Sequence, residues 1–133
     1  MNISESTIRK LIKNGELIRI TRDHSLVQEL VDAGEITADE AEKHPNKNII
    51  TRSLGQPTDI DVDTLTLEID ADDIIIMSSD GLTNMVPAEA IIETVDNDQD
   101  VTSQAQALVS LANTNGGLDN ITVILVKFDK GDL

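Results

Sequence analysis

Two apolar runs punctuate the second half of the chain, and each touches a carboxylate. Ile74-Ile75-Ile76-Met77 leads through Ser78-Ser79 to Asp80-Gly81-Leu82, and Gly116-Gly117-Leu118-Asp119-Asn120 opens into Ile121-Thr122-Val123-Ile124-Leu125-Val126. Short β-branched runs of this kind predict core strands buried on both faces. Asp80 then stands at the mouth of one strand and Asp119 at the mouth of the other. Gly81 is expected to let the chain turn tightly after the first.

Elsewhere the pattern alternates or repeats at helical spacing. Asn14-Gly15 separates an N-terminal segment from Glu16 to Thr21, whose alternation predicts the second strand of a hairpin. Ser25 is placed to cap a helix over residues 26–33. Thr37-Ala38-Asp39-Glu40 predicts a capping box, on a helix ended by His44 before Pro45. Residues 48–52 predict a short strand. The run from Asp59 to Ile69 alternates with a change of phase near Asp63-Thr64, which predicts a bulge or bend. A helix is expected from near Pro87 to Val95, then an acidic loop over residues 96–100. A second helix, capped by Thr102 and running to Asn113, is expected to carry Ala105, Leu108, Leu111 and Ala112 on one face. The last strand spans 121–128, with a frayed tail after it. This order, with turns joining most strand neighbours, predicts an α+β fold with antiparallel sheet.

Composition narrows the chemistry. A chain of 133 residues fits one domain, and with one Phe and no Trp or Tyr its core must be aliphatic. Cysteine is absent, which leaves oxygen donors and two histidines for any metal. The net charge of −15 excludes a basic footprint for nucleic acid or anionic lipid. No run of apolar residues approaches membrane-spanning length, and the polar start Met1-Asn2-Ile3-Ser4-Glu5 is unlike a signal peptide, so a soluble cytoplasmic protein is expected. Arg9, Lys10 and Lys13 make only a small basic patch. Asp59-x-Asp61-x-Asp63 departs from a calcium loop, with Thr64 where glycine is needed and Asp70 at the twelfth position. His24 and His44 read as structural.

Ser79-Asp80-Gly81-Leu82-Thr83-Asn84, followed by Gly116-Gly117-Leu118-Asp119-Asn120-Ile121-Thr122-Val123, resembles the last two metal-binding motifs of the type-2C (PPM) metal-dependent serine/threonine protein phosphatases. Thr21-Arg22-Asp23-His24-Ser25 and Asn48 to Gly55 are weaker matches in the same order. The resemblance extends from about Gly15 onward. The early Asp motif, the Asp-Gly-x-Gly-Gly turn and the phosphate-binding Arg of that family have no counterpart in this sequence, so the chain is expected to correspond to the C-terminal half of the domain. The resemblance implies an antiparallel β-sandwich flanked by helices, here incomplete, with residues 1–133 forming part of a single domain.

For function it implies hydrolysis of phosphoserine and phosphothreonine in proteins, with Mn²⁺ or Mg²⁺ as cofactor. Asp80 and Asp119 would be metal ligands, with Ser79, Gly81 and Asn120 supporting them. Implied partners are a phosphorylated protein, a cognate Ser/Thr kinase and, for a chain lacking half its sheet, a second copy in a homodimer. The rival readings are a noncatalytic pseudophosphatase remnant acting as an interaction module, and an acidic domain whose aspartates serve solubility alone.

Overall fold

The structure, a computed structural model, describes residues 8–52, 55, 59 and 62–132, with the backbone alone for 8–11. The polar N-terminal run, Ser53 and Leu54 of the weaker motif, Ile60 and Asp61 of the alternating run, and Leu133 lie outside the described residues. The chain divides into two compact units, one around Asp23–Leu65 and one comprising Thr7–Arg22 with Thr66–Leu133.

The larger unit holds a four-stranded antiparallel sheet. Its strands are β1 (Ile8–Lys13), β2 (Glu16–Arg19), β3 (Ile74–Ser78) and β4 (Val123–Lys127), in the order β2-β1-β3-β4. Asn14 and Gly15, both at positive φ, close the β1–β2 hairpin as the Asn-Gly dipeptide predicts. Three helices lie between β3 and β4: α3 (Asp80–Thr83), α4 (Ala88–Val95) and α5 (Val101–Thr114). Ile12, Ile74 and Ile76 on one sheet face form a single core with Leu82, Val86, Ile91, Val95, Leu108 and Ala112. The α+β architecture with an antiparallel sheet is therefore as expected, and the described residues supply one sheet of it.

Several details differ from the pattern-based reading. β3 is buried only on alternate residues, Ile74, Ile76 and Ser78, while β4 is a sheet edge with Ile124 and Val126 exposed. Among the described residues neither strand is covered on both faces. The cap of α5 is Asp100 rather than Thr102, since its carboxylate accepts the Ser103 N–H at 3.0 Å and the Ser103 hydroxyl at 2.7 Å. An aspartate two residues earlier outcompetes a threonine because it reaches both donors at once. Helix α3 lies inside a motif whose sequence reads as a turn. Residues 62–70 form no strand, as an alternating run becomes one only when it finds a ladder partner.

Two polar clusters anchor this unit. The buried Asp73 carboxylate accepts the Asp70 N–H at 2.9 Å and faces the Lys13 ammonium at 3.6 Å. Lys13 itself pairs with Asp70 at 2.6 Å, and that hydrogen bond raises its pKa above the ordinary lysine value. Gln104, fully buried on α5, donates from Nε2 to the Val95 carbonyl at 2.9 Å and to both oxygens of Asn97 at 3.1 Å.

The smaller unit contains α1 (Leu26–Asp32) and α2 (Ala38–Glu42). Ser25 caps α1 and the Thr37–Glu40 capping box starts α2, both as read from the sequence. The strand expected over residues 48–52 is reduced to a single bridge between Ile50 and Ser25. His24 donates its Nε2 to Asp63 at 2.7 Å, and Arg52 approaches the other carboxylate oxygen at 3.3 Å. Burial alone would raise the Asp63 pKa, but the hydrogen bond from His24 and the charge of Arg52 outweigh it and the net direction is down. Asp63 is thus committed to an ion cluster. His44 accepts the Asn46 N–H through Nδ1. Among the described residues no helix is long and apolar enough to cross a membrane.

Candidate metal centre

β3 and β4 run antiparallel with Ser78 opposite Val123, so the end of the first strand and the start of the second lie at the same edge of the sheet. Asp80 follows β3 by two residues and Asp119 precedes β4 by four. The ladder continues past its last regular pair, since the Ser79 N–H donates to the Thr122 carbonyl at 3.0 Å.

Ser79 stitches the two turns together. Its hydroxyl donates to the Asn120 carbonyl at 3.0 Å and accepts the Thr122 N–H at 3.0 Å, bridging segments 41 and 43 residues apart. The side chain is therefore occupied across the sheet edge and makes no cap bond to α3, although Ser79 stands at its N-cap position. Asp80 becomes the first residue of that helix.

Gly81 has a different role from the one its Asp-Gly context suggests. It is helical, with no positive φ, so no turn requires glycine here. A β-carbon at this position would instead be driven into the Asn120 backbone carbonyl, far inside van der Waals contact. The absence of a side chain is what allows the two turns to touch. Asn120 also acts through its backbone, its carbonyl taking the Ser79 hydroxyl and its N–H donating to Asp119 Oδ1 at 2.7 Å.

On the other side, Gly116 and Gly117 adopt φ of 136° and 54° to reverse the chain after α5. A β-carbon on Gly117 would press on Asn113 Oδ1 at 2.8 Å, and the Gly117 N–H is fixed by the Ala112 carbonyl at 3.1 Å. Asn115 ties the turn to the Met85 carbonyl at 2.9 Å. The Asp119 turn is thus clamped at both ends.

Two hard carboxylates on clamped turns fit a hard divalent cation, which prefers oxygen donors. The Asp80 carboxylate takes no hydrogen-bond or ion-pair partner among the described residues, and Asp119 gives one oxygen to a neighbouring N–H, leaving the other uncommitted. The fit is partial. Among the described residues no group of three or more His, Asp or Glu gathers to hold a metal, so the remaining positions of a six-coordinate ion would fall to water or to ligands from elsewhere.

Comparison with known proteins agrees with the motifs. The chain is 46% identical over 122 residues to the protein phosphatase PhpP of Streptococcus pneumoniae, covering 92% of this chain and 50% of that protein. It superposes on the serine/threonine phosphatase of S. agalactiae with a TM-score of 0.90 and 40% identity, over 96% of this chain and 53% of that one. The chain belongs to the type-2C (PPM) serine/threonine phosphatase family. No family model matches it. It spans about half the length of the curated relatives it matches, as a C-terminal portion of the domain would. A further neighbour, the catalytic domain of the serine/threonine phosphatase PstP in complex with two manganese ions, superposes with a TM-score of 0.74 and 36% identity over 95% of this chain.

Both carboxylates stand out in the sequence because each lies near the end of an apolar run. The tight turn expected at Gly81 is not what the structure shows, because the contacts of Ser79, Gly81 and Asn120 exist only across the sheet edge. A glycine inside a motif is a signal of close approach as much as of a turn, and that reading was open at Gly81.

Proposed function

We propose that this chain is part of a type-2C phosphatase domain, its two compact units included, that hydrolyses phosphoserine and phosphothreonine in cytoplasmic proteins, and that Asp80 and Asp119 ligate its Mn²⁺ or Mg²⁺. The observation that carries this reading is the contact of the two carboxylate-bearing turns at Gly81 and Asn120, fastened by the Ser79 hydroxyl. Such rigid placement suits ligands that must not relax when a cation is exchanged.

The chemistry a bound Mn²⁺ or Mg²⁺ supplies is a water acidic enough to attack phosphorus near neutral pH, with positive charge beside the phosphoryl oxygens. The residues of this chain hold and orient. Asp80 presents its carboxylate from the first turn of α3, and Asp119 presents the oxygen that Asn120 does not use. Ser79 and Asn120 keep those two presentations in register. The partners of this reading are phosphorylated proteins, the Ser/Thr kinase that phosphorylates them and, for the chain alone, a second copy.

Manganese titration by calorimetry tests the ligands. The isolated chain should bind Mn²⁺ weakly, in the high micromolar range or above, and Asp80→Asn or Asp119→Asn should each remove most of that binding. Binding that survives both substitutions would place the site elsewhere. With half a ligand set, the isolated chain should hydrolyse p-nitrophenyl phosphate no faster than its Asp80→Ala, Asp119→Ala double variant; a Mn²⁺-dependent rate that either substitution abolishes would show that two carboxylates suffice.

A further inference from the structure

The turns that carry Asp80 and Asp119 are fastened to one another at both ends, and the second fastener lies outside the metal-binding motifs. Ser79 supplies the first, its hydroxyl bridging the Asn120 carbonyl and the Thr122 N–H at 3.0 Å each. Asn115 supplies the second. It closes the C-terminus of α5, its own N–H held by the Leu111 carbonyl at 3.0 Å, and its Nδ2 donates to the Met85 carbonyl at 2.9 Å. Asn115 and Met85 each stand one residue beyond the matched motifs, Gly116–Val123 and Ser79–Asn84.

These contacts set residues 79–85 against residues 115–122 in opposite directions. Ser79 meets Asn120 and Thr122, Gly81 lies against the Asn120 carbonyl, and Met85 meets Asn115, with Met85 Sδ 3.5 Å from where a Gly116 β-carbon would stand. Asp80 and Asp119 both fall between the two fasteners. A displacement at Met85 reaches Asp80 through a single hydrogen-bonded turn, because the Asn84 N–H donates to the Asp80 carbonyl at 2.8 Å and the Met85 N–H to the Leu82 carbonyl at 3.1 Å.

We propose that Asn115 is a positioning residue of the metal centre: its amide holds Met85, and with it α3, at the separation from the Asp119 turn that lets both carboxylates serve one cation. This rests on the reading of Asp80 and Asp119 as ligands. Ser79 alone would act as a hinge about which the far ends of the two segments could part, and ligand constellations lose function once they relax by more than about 0.5 Å. Among the described residues no third carboxylate or imidazole joins the pair to absorb such a shift. The chemistry of the fastener fits as well. Met85 offers a carbonyl, which needs a donor, and a Lys or Arg donor beside two aspartates would pair with them in place of the cation. The neutral amide donates without that competition, and no Lys or Arg occurs between Arg52 and Lys127.

Amide NMR of the 133-residue chain tests this, with Mn²⁺ as the probe and the paramagnetic broadening it causes as the readout. Asn115→Ala should shift the amide signals of Asp80, Asp119 and Asn120 before any metal is present, and should raise the Mn²⁺ concentration needed for half-broadening about fivefold, the worth of one hydrogen bond. Ser25→Ala, which removes a cap from the other unit, is the control for general loosening and should change neither. Unmoved metal-free signals at Asp80 and Asp119 in Asn115→Ala would overturn the proposal. So would Mn²⁺ binding that needs both aspartates yet is unchanged in Asn115→Ala, or that Ser25→Ala weakens as much. Mn²⁺ that leaves the surroundings of both aspartates sharp in the unaltered chain, or still broadens them after Asp80→Asn with Asp119→Asn, would sink the ligand assignment and the proposal with it.

Discussion

At Gly81 two opposing effects can be weighed. Alanine is the better helix former by about 1 kcal/mol, so on propensity alone Gly81→Ala should stabilise α3. The added carbon, however, meets a backbone carbonyl that cannot rotate away, and overpacking of that kind costs about 1–3 kcal/mol. The clash should win, and Gly81→Ala is expected to lower the denaturant midpoint and weaken Mn²⁺ binding together. A more stable variant would show that the two turns part easily. Ser79→Ala removes a group that both donates and accepts, at a cost of about 2 kcal/mol for the two part-buried hydrogen bonds lost. Chemical denaturation checks that loss, which threonine should partly rescue. The placement of Asp80 and Asp119 at strand mouths is legible from sequence because an apolar run ends near one and begins near the other. The contacts of Ser79 and Gly81 are not, because their partners lie about forty residues away and no local pattern encodes that distance.

Two of the three helix caps read from the sequence hold, Ser25 and Thr37, while the third passes from Thr102 to Asp100. Ser25 and Thr37 act where the sequence places them because a cap is settled within four residues. Replacing the buried Ser25 by Ala should cost about 1 kcal/mol, read as a shift of the unfolding midpoint. Strands were less legible, since residues 48–52 and 62–70 carry the pattern without acquiring a ladder. The Asp100 cap gives a prediction in pH. Hydrogen bonds from the Ser103 hydroxyl and N–H hold its pKa below the ordinary carboxylate value. The stability it contributes is therefore complete above that ordinary value and disappears as the pH falls through the lowered one. Between neutral pH and acid, the melting temperature of Asp100→Asn should fall less than that of the unaltered chain. Parallel curves would remove Asp100 from the acid response.

For the molecule as a whole, charge and cover set the terms. An excess of 15 negative charges opposes compaction, so moderate salt should raise the melting temperature by screening, a trend that scanning calorimetry at increasing ionic strength would expose. A flat response would mean that local ion pairs such as Lys13 with Asp70, which salt weakens, offset the gain. The buried amide of Gln104 bears on a different property, the chain's fate under a protease. The acidic loop at residues 96–99 looks like an inviting cleavage site, polar and well exposed. Yet Gln104 grips it from beneath at Val95 and Asn97, and Asn97 in turn accepts the Gln99 N–H. A protease needs its substrate drawn out as an extended strand, and here that means pulling a buried amide from the core first. A glutamate- and aspartate-specific protease should consequently nick the ladder-free stretch near Glu68 well before Asp96 or Asp98, and Gln104→Ala should reverse that order.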